Sequence, residues 1–161
     1  MSILSNGSTS IPPITAISST AWTTIFKPTN QSKVNNTKAA DPDLIVALLA
    51  NTKYIIRGQG FVTEGGGGFV GHFSGPASPT NLQIMHYGID AGATSFSSSI
   101  VKQDIVYGVD LISSGNCVFR FEAIVHNGVN AGNFTFDWAQ LGTNAAATIL
   151  YAGSYLEYHV L

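Results

Sequence analysis

The sequence predicts an all-β fold, an antiparallel sandwich or barrel. Three observations carry that reading. Apolar and polar residues alternate through "CVFRFEAIVH" and "NFTFDWAQL", and period two marks strands with one buried face. About ten such short segments are punctuated by Gly, Pro, Asn and Ser signals at intervals of roughly 8–12 residues, the rhythm of a sandwich or barrel. No heptad run, long amphipathic helix or internal repeat breaks the pattern.

Residues 1–20, "MSILSNGSTSIPPITAISST", lack any charged side chain and any periodicity. Pro12 and Pro13 forbid a continuous helix there. Ile3, Leu4, Ile11, Ile14 and Ile17 are too apolar for a solvated tail. The segment reads as an extended arm that adds a strand to a partner, ahead of a β domain over 21–161.

In that domain "AWTTIF" is a short strand, "QSKVNNTKAADP" a polar turn-rich stretch and "DLIVALL" a strand. "ANTKYIIRGQGFV" opens with a turn and continues as a long strand, and "EGGGG" is a loop. "FVGHFSG" and "NLQIMHYGI" are strands around "PASPT", and "AGATSFSSS" is small and polar. "IVYGVDLI" and "CVFRFEAIVH" are strands either side of "SGN". In the latter, Cys117, Phe119, Phe121, Ala123 and Val125 share one face. "NGVNAG" is expected to make a hairpin into "NFTFDWAQL", whose Phe134, Phe136 and Trp138 point one way. "YLEYHV" ends the chain with Leu156, Tyr158 and Val160 together.

Several strands are apolar on both sides. Tyr54, Ile56 and Val62 share one face while Ile55 and Phe61 lie on the other beside Lys53 and Arg57. Leu82 and Ile84 oppose Met85, Tyr87 and Ile89. A sheet wetted on one side alternates more cleanly. The second face therefore needs a cover, and a second copy of the chain supplies one. Ile55, Phe61, Met85, Tyr87 and Ile89 are the expected subunit interface.

The bulk numbers agree. The chain has 161 residues and a net charge of -2. That suits one domain, of a size that hides about 68–70% of its unfolded surface. Only 10% of residues are charged, against about 25% in an average domain. No clustered basic patch marks a nucleic-acid partner, and no apolar run of about 18 residues marks a membrane span. Cys117 is the single cysteine, so it reads as a buried structural thiol. "MSILSNGSTS" lacks the basic and apolar regions of a signal peptide.

Signals for chemistry are sparse, and the expectation is a protein that is not an enzyme, with no cofactor and no metal. Gly66, Gly68 and Gly71 match G-x-G-x-x-G, but "HFSGPASP" does not open the helix that a dinucleotide site requires. His72, His86, His126 and His159 show no compact metal-ligand spacing. Asp90, Asp104, Asp110, Glu122, Asp137 and Glu157 stand isolated, with Arg120 and Glu122 on one strand face and able to pair there or across strands. Trp22, Tyr87, Tyr107 and Tyr151 are candidates for a carbohydrate platform and, more simply, for core or interface.

Several short motifs together resemble a family. "DPDL" at Asp41–Leu44, "LANT.Y" at Leu49–Tyr54, "F.GPA" at Phe73–Ala77, "G..AG.F...WAQ" at Gly128–Gln140 and "AGSYL" at Ala152–Leu156 are similar to those of small β domains in tailed-bacteriophage virion proteins. The resemblance spans residues 37–161. It implies a jelly-roll-like sandwich, commonly a homotrimer, found in head decoration, head-fibre and tail proteins, with no catalytic residues. After "WAQ" this chain has "LGTNAAA" where the family carries a polar stretch, which suits a packed position. A jelly roll also gives the last strand a place among earlier ones, with Gly153 at the turn that admits it. The expected role is a trimeric capsid decoration or cement protein that binds the major capsid protein of a phage head. It would sit on the capsid surface after assembly in the host cytoplasm. A tail- or fibre-associated module that binds host glycans is the alternative.

Overall fold

A computed structural model describes residues 21–90, 95–102, 111–113 and 115–161. The arm residues Ile3, Leu4, Ile11, Pro12, Pro13, Ile14 and Ile17 lie outside the described residues, as do Tyr107 and most of "IVYGVDLI". Twelve strands and no helix occupy the described residues: β1 (Thr23–Phe26), β2 (Gln31–Lys33), β3 (Ala39–Leu48), β4 (Lys53–Thr63), β5 (Phe69–Ser74), β6 (Asn81–Asp90), β7 (Ser95–Lys102), β8 (Leu111–Ser113), β9 (Cys117–His126), β10 (Gly132–Ala139), β11 (Thr148–Leu150) and β12 (Tyr155–Val160).

They form two antiparallel sheets. The larger runs β1-β12-β4-β9-β6-β7, with β11 beside β4 and β2 beside β11; the smaller runs β3-β10-β5-β8. The topology follows from four ladders: β1 with β12, β3 with β10, β4 with β9, and β5 with β8. Setting aside β2, β11 and the β6–β7 hairpin, these pair first with last, second with seventh, third with sixth and fourth with fifth. A long hairpin rolled up on itself gives that order, and rolling brings β12 against β4 and β10 against β5. This is the jelly roll. The β6–β7 hairpin widens the larger sheet by pairing with β9.

β12 is therefore not a fraying end. It is bonded to β1 on one side and β4 on the other. Gly153 takes φ +84 at its entry, a conformation only glycine adopts without strain.

The core lies between the sheets. Phe69 and Phe73 of β5 and Phe134, Phe136 and Trp138 of β10 meet Phe119 and Phe121 of β9, with Phe73 and Phe121 centroids 4.4 Å apart and Phe119 and Phe136 5.1 Å apart. The Gly-x-Gly of β4 makes room for these rings. A Cβ at Gly60 would stand 2.2 Å from Phe119 Cζ, so the smallest side chain faces the largest across the strand pair. Cys117, Phe119, Phe121, Ala123 and Val125 are all buried, as are Tyr54, Ile56, Val62, Leu82 and Ile84.

Four local expectations are corrected. "NGVNAG" is not a hairpin: β9 belongs to the larger sheet and β10 to the smaller, so the loop turns a corner of the sandwich. Alternation shows that both strands bury one face, but not that they bury it from opposite sides. "QSKVNNTKAADP" contains β2 and the start of β3. The ladder steps from Thr135↔Ile45 to Asp137↔Ala40, so Asp41–Leu44 bulge out of it and Pro42 sits where no donor is required. "SFSSS" belongs to β7. "LGTNAAA" is mostly exposed; the buried residue beside it is Gln140, which donates to Ala146 O at 2.7 Å and accepts from Asn144 N at 2.8 Å.

Candidate functional site

The residue types that carry chemistry are mostly engaged in folding. Lys27, only 2% exposed, donates to Asp41 at 2.7 Å and Asp43 at 3.0 Å. Asp41 is fully buried. Its Oδ2 also accepts from Trp138 Nε1 at 3.3 Å, and its Oδ1 accepts from the amides of Asp43 and Leu44 at 3.0 and 3.2 Å. Gln31 Oε1 shares the indole N–H at 3.2 Å. Lys33 lies over the Trp138 ring, 4.6 Å from its centroid, and donates to Trp138 O and Ala39 O. Burial pushes its ammonium below the ordinary pKa, with Asp41 and Asp137 opposing. The network closes the bulge of β3 over the end of β10 and ties in the residue after β1.

Other motif residues have similar work. Tyr54 OH accepts from Leu49 N at 2.8 Å, and Asn51 takes φ 53 in the turn before β4. Asn130 Nδ2 donates to Ala77 O at 3.1 Å, and Ser74 donates to Asp137. Buried Ser154 accepts from Phe61 N at 3.2 Å. Glu64 accepts from the amides of Gly66 and Gly68. Strand β5 follows that loop, so the glycines open no helix. Among the described residues no cluster of three or more His, Cys, Asp or Glu is placed to hold a metal ion.

His86 points inward and is 2% exposed, and its Nδ1 has no hydrogen-bond partner. Burial pushes its pKa below the ordinary 6.5. The fold therefore favours the neutral ring. Stability is complete above about pH 6.5 and declines as pH falls towards the lowered folded-state value, because the unfolded chain then binds the extra proton. Thermal unfolding from about pH 7.5 to 5.5 should show this decline, with a shallower slope in His86→Gln; equal slopes would remove His86 as its source.

What the fold leaves unengaged is the outer face of the larger sheet. Met85, Tyr87 and Ile89 project from β6 and Val118 from β9, all exposed; Ile55, Phe61 and Ile124 are half-buried beside them. The five residues expected to form an interface, Ile55, Phe61, Met85, Tyr87 and Ile89, thus lie on one surface. Val118 was not among them, although strict alternation in "CVFRFEAIVH" points it outward. Between the apolar ends runs a polar band. Arg57 pairs with Glu157 at 2.5 Å and stacks under Trp22, its Cζ 4.0 Å from the ring centroid. Arg120 donates to Gln59 at 2.5 Å, and among the described residues Arg120 has no carboxylate partner and Glu122 no cationic one. A groove of about 330 Å³ crosses this band, lined by Arg57, Met85, Tyr87, Arg120, Glu122 and Tyr155 among others.

No protein-family model matches the sequence. No curated protein matches it. Solved structures of the infectious bursal disease virus VP2 subviral particle and of the Gx strain of that virus are similar over 87% of this chain, at 11% identity, with TM-scores of 0.22 and 0.24. This chain spans 40% of each of theirs. At these scores the likeness carries no weight for fold or function.

Proposed function

We propose that this chain is a structural protein of a bacteriophage virion, a capsid decoration protein that associates with itself and with the major capsid protein of the head. The observation that carries the reading is the outer face of the larger sheet. Tyr87, Ile89 and Val118 are 45%, 60% and 43% exposed on a chain with only 10% charged residues. A contiguous apolar patch on a charge-poor domain marks a protein-docking surface. The motif resemblance supplies the phage setting and the homotrimer. Jelly rolls also serve lectins and cupins, so the fold alone does not choose among them.

The mechanism is linkage. A ligand that binds only the assembled shell adds its binding free energy to the resistance against rupture. Burial of roughly 1,600 Å² per attachment is enough for specific binding. The uncharged arm at residues 1–20 would contribute a strand along the shell. Co-sedimentation with purified heads tests this. The full chain should pellet with the shells, and a chain lacking residues 1–20 should stay folded and remain in the supernatant. Undiminished pelleting of the truncated chain would take the arm out of the mechanism.

The groove beside Tyr87 and Tyr155 favours a second reading, a tail or fibre module that binds host glycans. Retention on host envelopes with none on heads would select it.

A further inference from the structure

We propose that the outer face of the larger sheet is self-complementary and docks a second copy of this chain about a two-fold axis at the level of Phe121. The register carries the inference. Across β4, β9 and β6, Gly58, Phe121 and His86 form one row. The outward rows on either side are Arg57, Glu122, Met85 and Gln59, Arg120, Tyr87. Two residues further out in each direction come Ile55, Ile124, Gln83 and Phe61, Val118, Ile89.

A two-fold axis in the interface plane, perpendicular to the strands through the Phe121 row, lays β9 antiparallel over its own copy. Arg120 then faces Glu122 of the second copy, and Glu122 faces its Arg120. Val118 meets Ile124, Ile55 meets Phe61, and Met85 meets Tyr87. The two charges on β9 that lack an opposite charge among the described residues of one chain are each matched, and the outermost rows, apolar but for Gln83, meet each other. An isologous contact requires this mirror-like order of residue types along a strand, and a heterologous three-fold ring does not. Trp22, stacked on Arg57, stands at the rim on the β12 side, so the contact centres on β9 and β6.

The size suffices. Ladders of ten residue pairs join β4, β9 and β6. With β7, which joins β6 over eight residue pairs, they offer roughly 20 by 30 Å, about 600 Å² per copy and ~1,200 Å² per pair, above the ~1,000 Å² expected of a specific interface. The proposal assigns the self-association of the virion reading to this face; attachment to heads is tested separately by the co-sedimentation above, so the two can fail independently.

The test is sedimentation equilibrium of the full chain, with circular dichroism to confirm that each variant is folded. The wild type should form an even-numbered species, a dimer, or a hexamer where a three-fold ring also forms. Arg120→Glu alone and Glu122→Arg alone each place like charges face to face twice. Each should weaken the two-fold contact by at least about tenfold, given the several kcal/mol that like-charge contacts cost. The double variant Arg120→Glu/Glu122→Arg should recover the wild-type assembly, and an equimolar mixture of the two single variants should form mixed pairs. A monomer, an odd-numbered assembly, or single variants that associate as the wild type does would overturn the proposal.

Discussion

Asp41→Ala should lower the unfolding free energy by about 3–5 kcal/mol, the cost of removing one partner from a buried ion pair. Both carboxylate oxygens of Asp41 are committed, to Lys27 and the Trp138 indole on one side and to the Asp43 and Leu44 amides on the other. Alanine leaves Lys27 with Asp43 alone and frees the bulge of β3 to unwind. Desolvation magnifies each loss, because water cannot reach a site whose cation is 2% exposed. Asp41→Asn keeps an acceptor for the two amides and should lose less. Urea midpoints measure both; a loss under about 1 kcal/mol for alanine would mean that the network is ornamental.

Trp138→Ala should cost about 3–5 kcal/mol, as loss of a large buried aromatic does. Its ring is fully buried, 6.2 Å from Phe69 between centroids, and lies beneath Lys33. Removing it opens a cavity at the meeting of β3, β10 and β5 and takes an indole donor from Asp41. Because the two residues share a hydrogen bond, their effects should not add. The double variant should lose less than the sum of the singles, and strict additivity would show that Asp41 and Trp138 act separately. Trp138→Phe should recover part of the packing and none of the hydrogen bond.

The sandwich was legible because "CVFRFEAIVH" and "NFTFDWAQL" alternate cleanly and turn signals separate the short segments around them. Which of Cys117 to His126 point inward follows from parity, and the same parity places Met85, Tyr87 and Ile89 on the outside. The partners of each strand were less legible. Phe134, Phe136 and Trp138 bury the same kind of face whether β10 returns beside β9 or crosses to the other sheet, and only the crossing occurs. The ion-pair network was hidden for another reason. Lys27 reaches Asp41 over 14 positions and Trp138 reaches Asp41 over 97, so no local pattern joins them. The sole cue was "DPDL", a polar break inside an apolar strand, and it reads equally well as a turn. Likewise, alternation shows that Arg120 and Glu122 face outward together, whereas the row of Gly58, Phe121 and His86 that centres their two-fold pattern emerges only from the register of three strands.

If this protein is part of a head, it must be found there in fixed proportion. On the proposed reading, quantitative mass spectrometry of density-purified, DNA-filled heads from a phage carrying its gene measures this directly. A constant ratio to the major shell protein across preparations is expected, with the chain lost from the heads only when the shell contacts are disrupted. Heads of full infectivity that carry none of it, or only traces that vary between preparations, would contradict a role in the capsid.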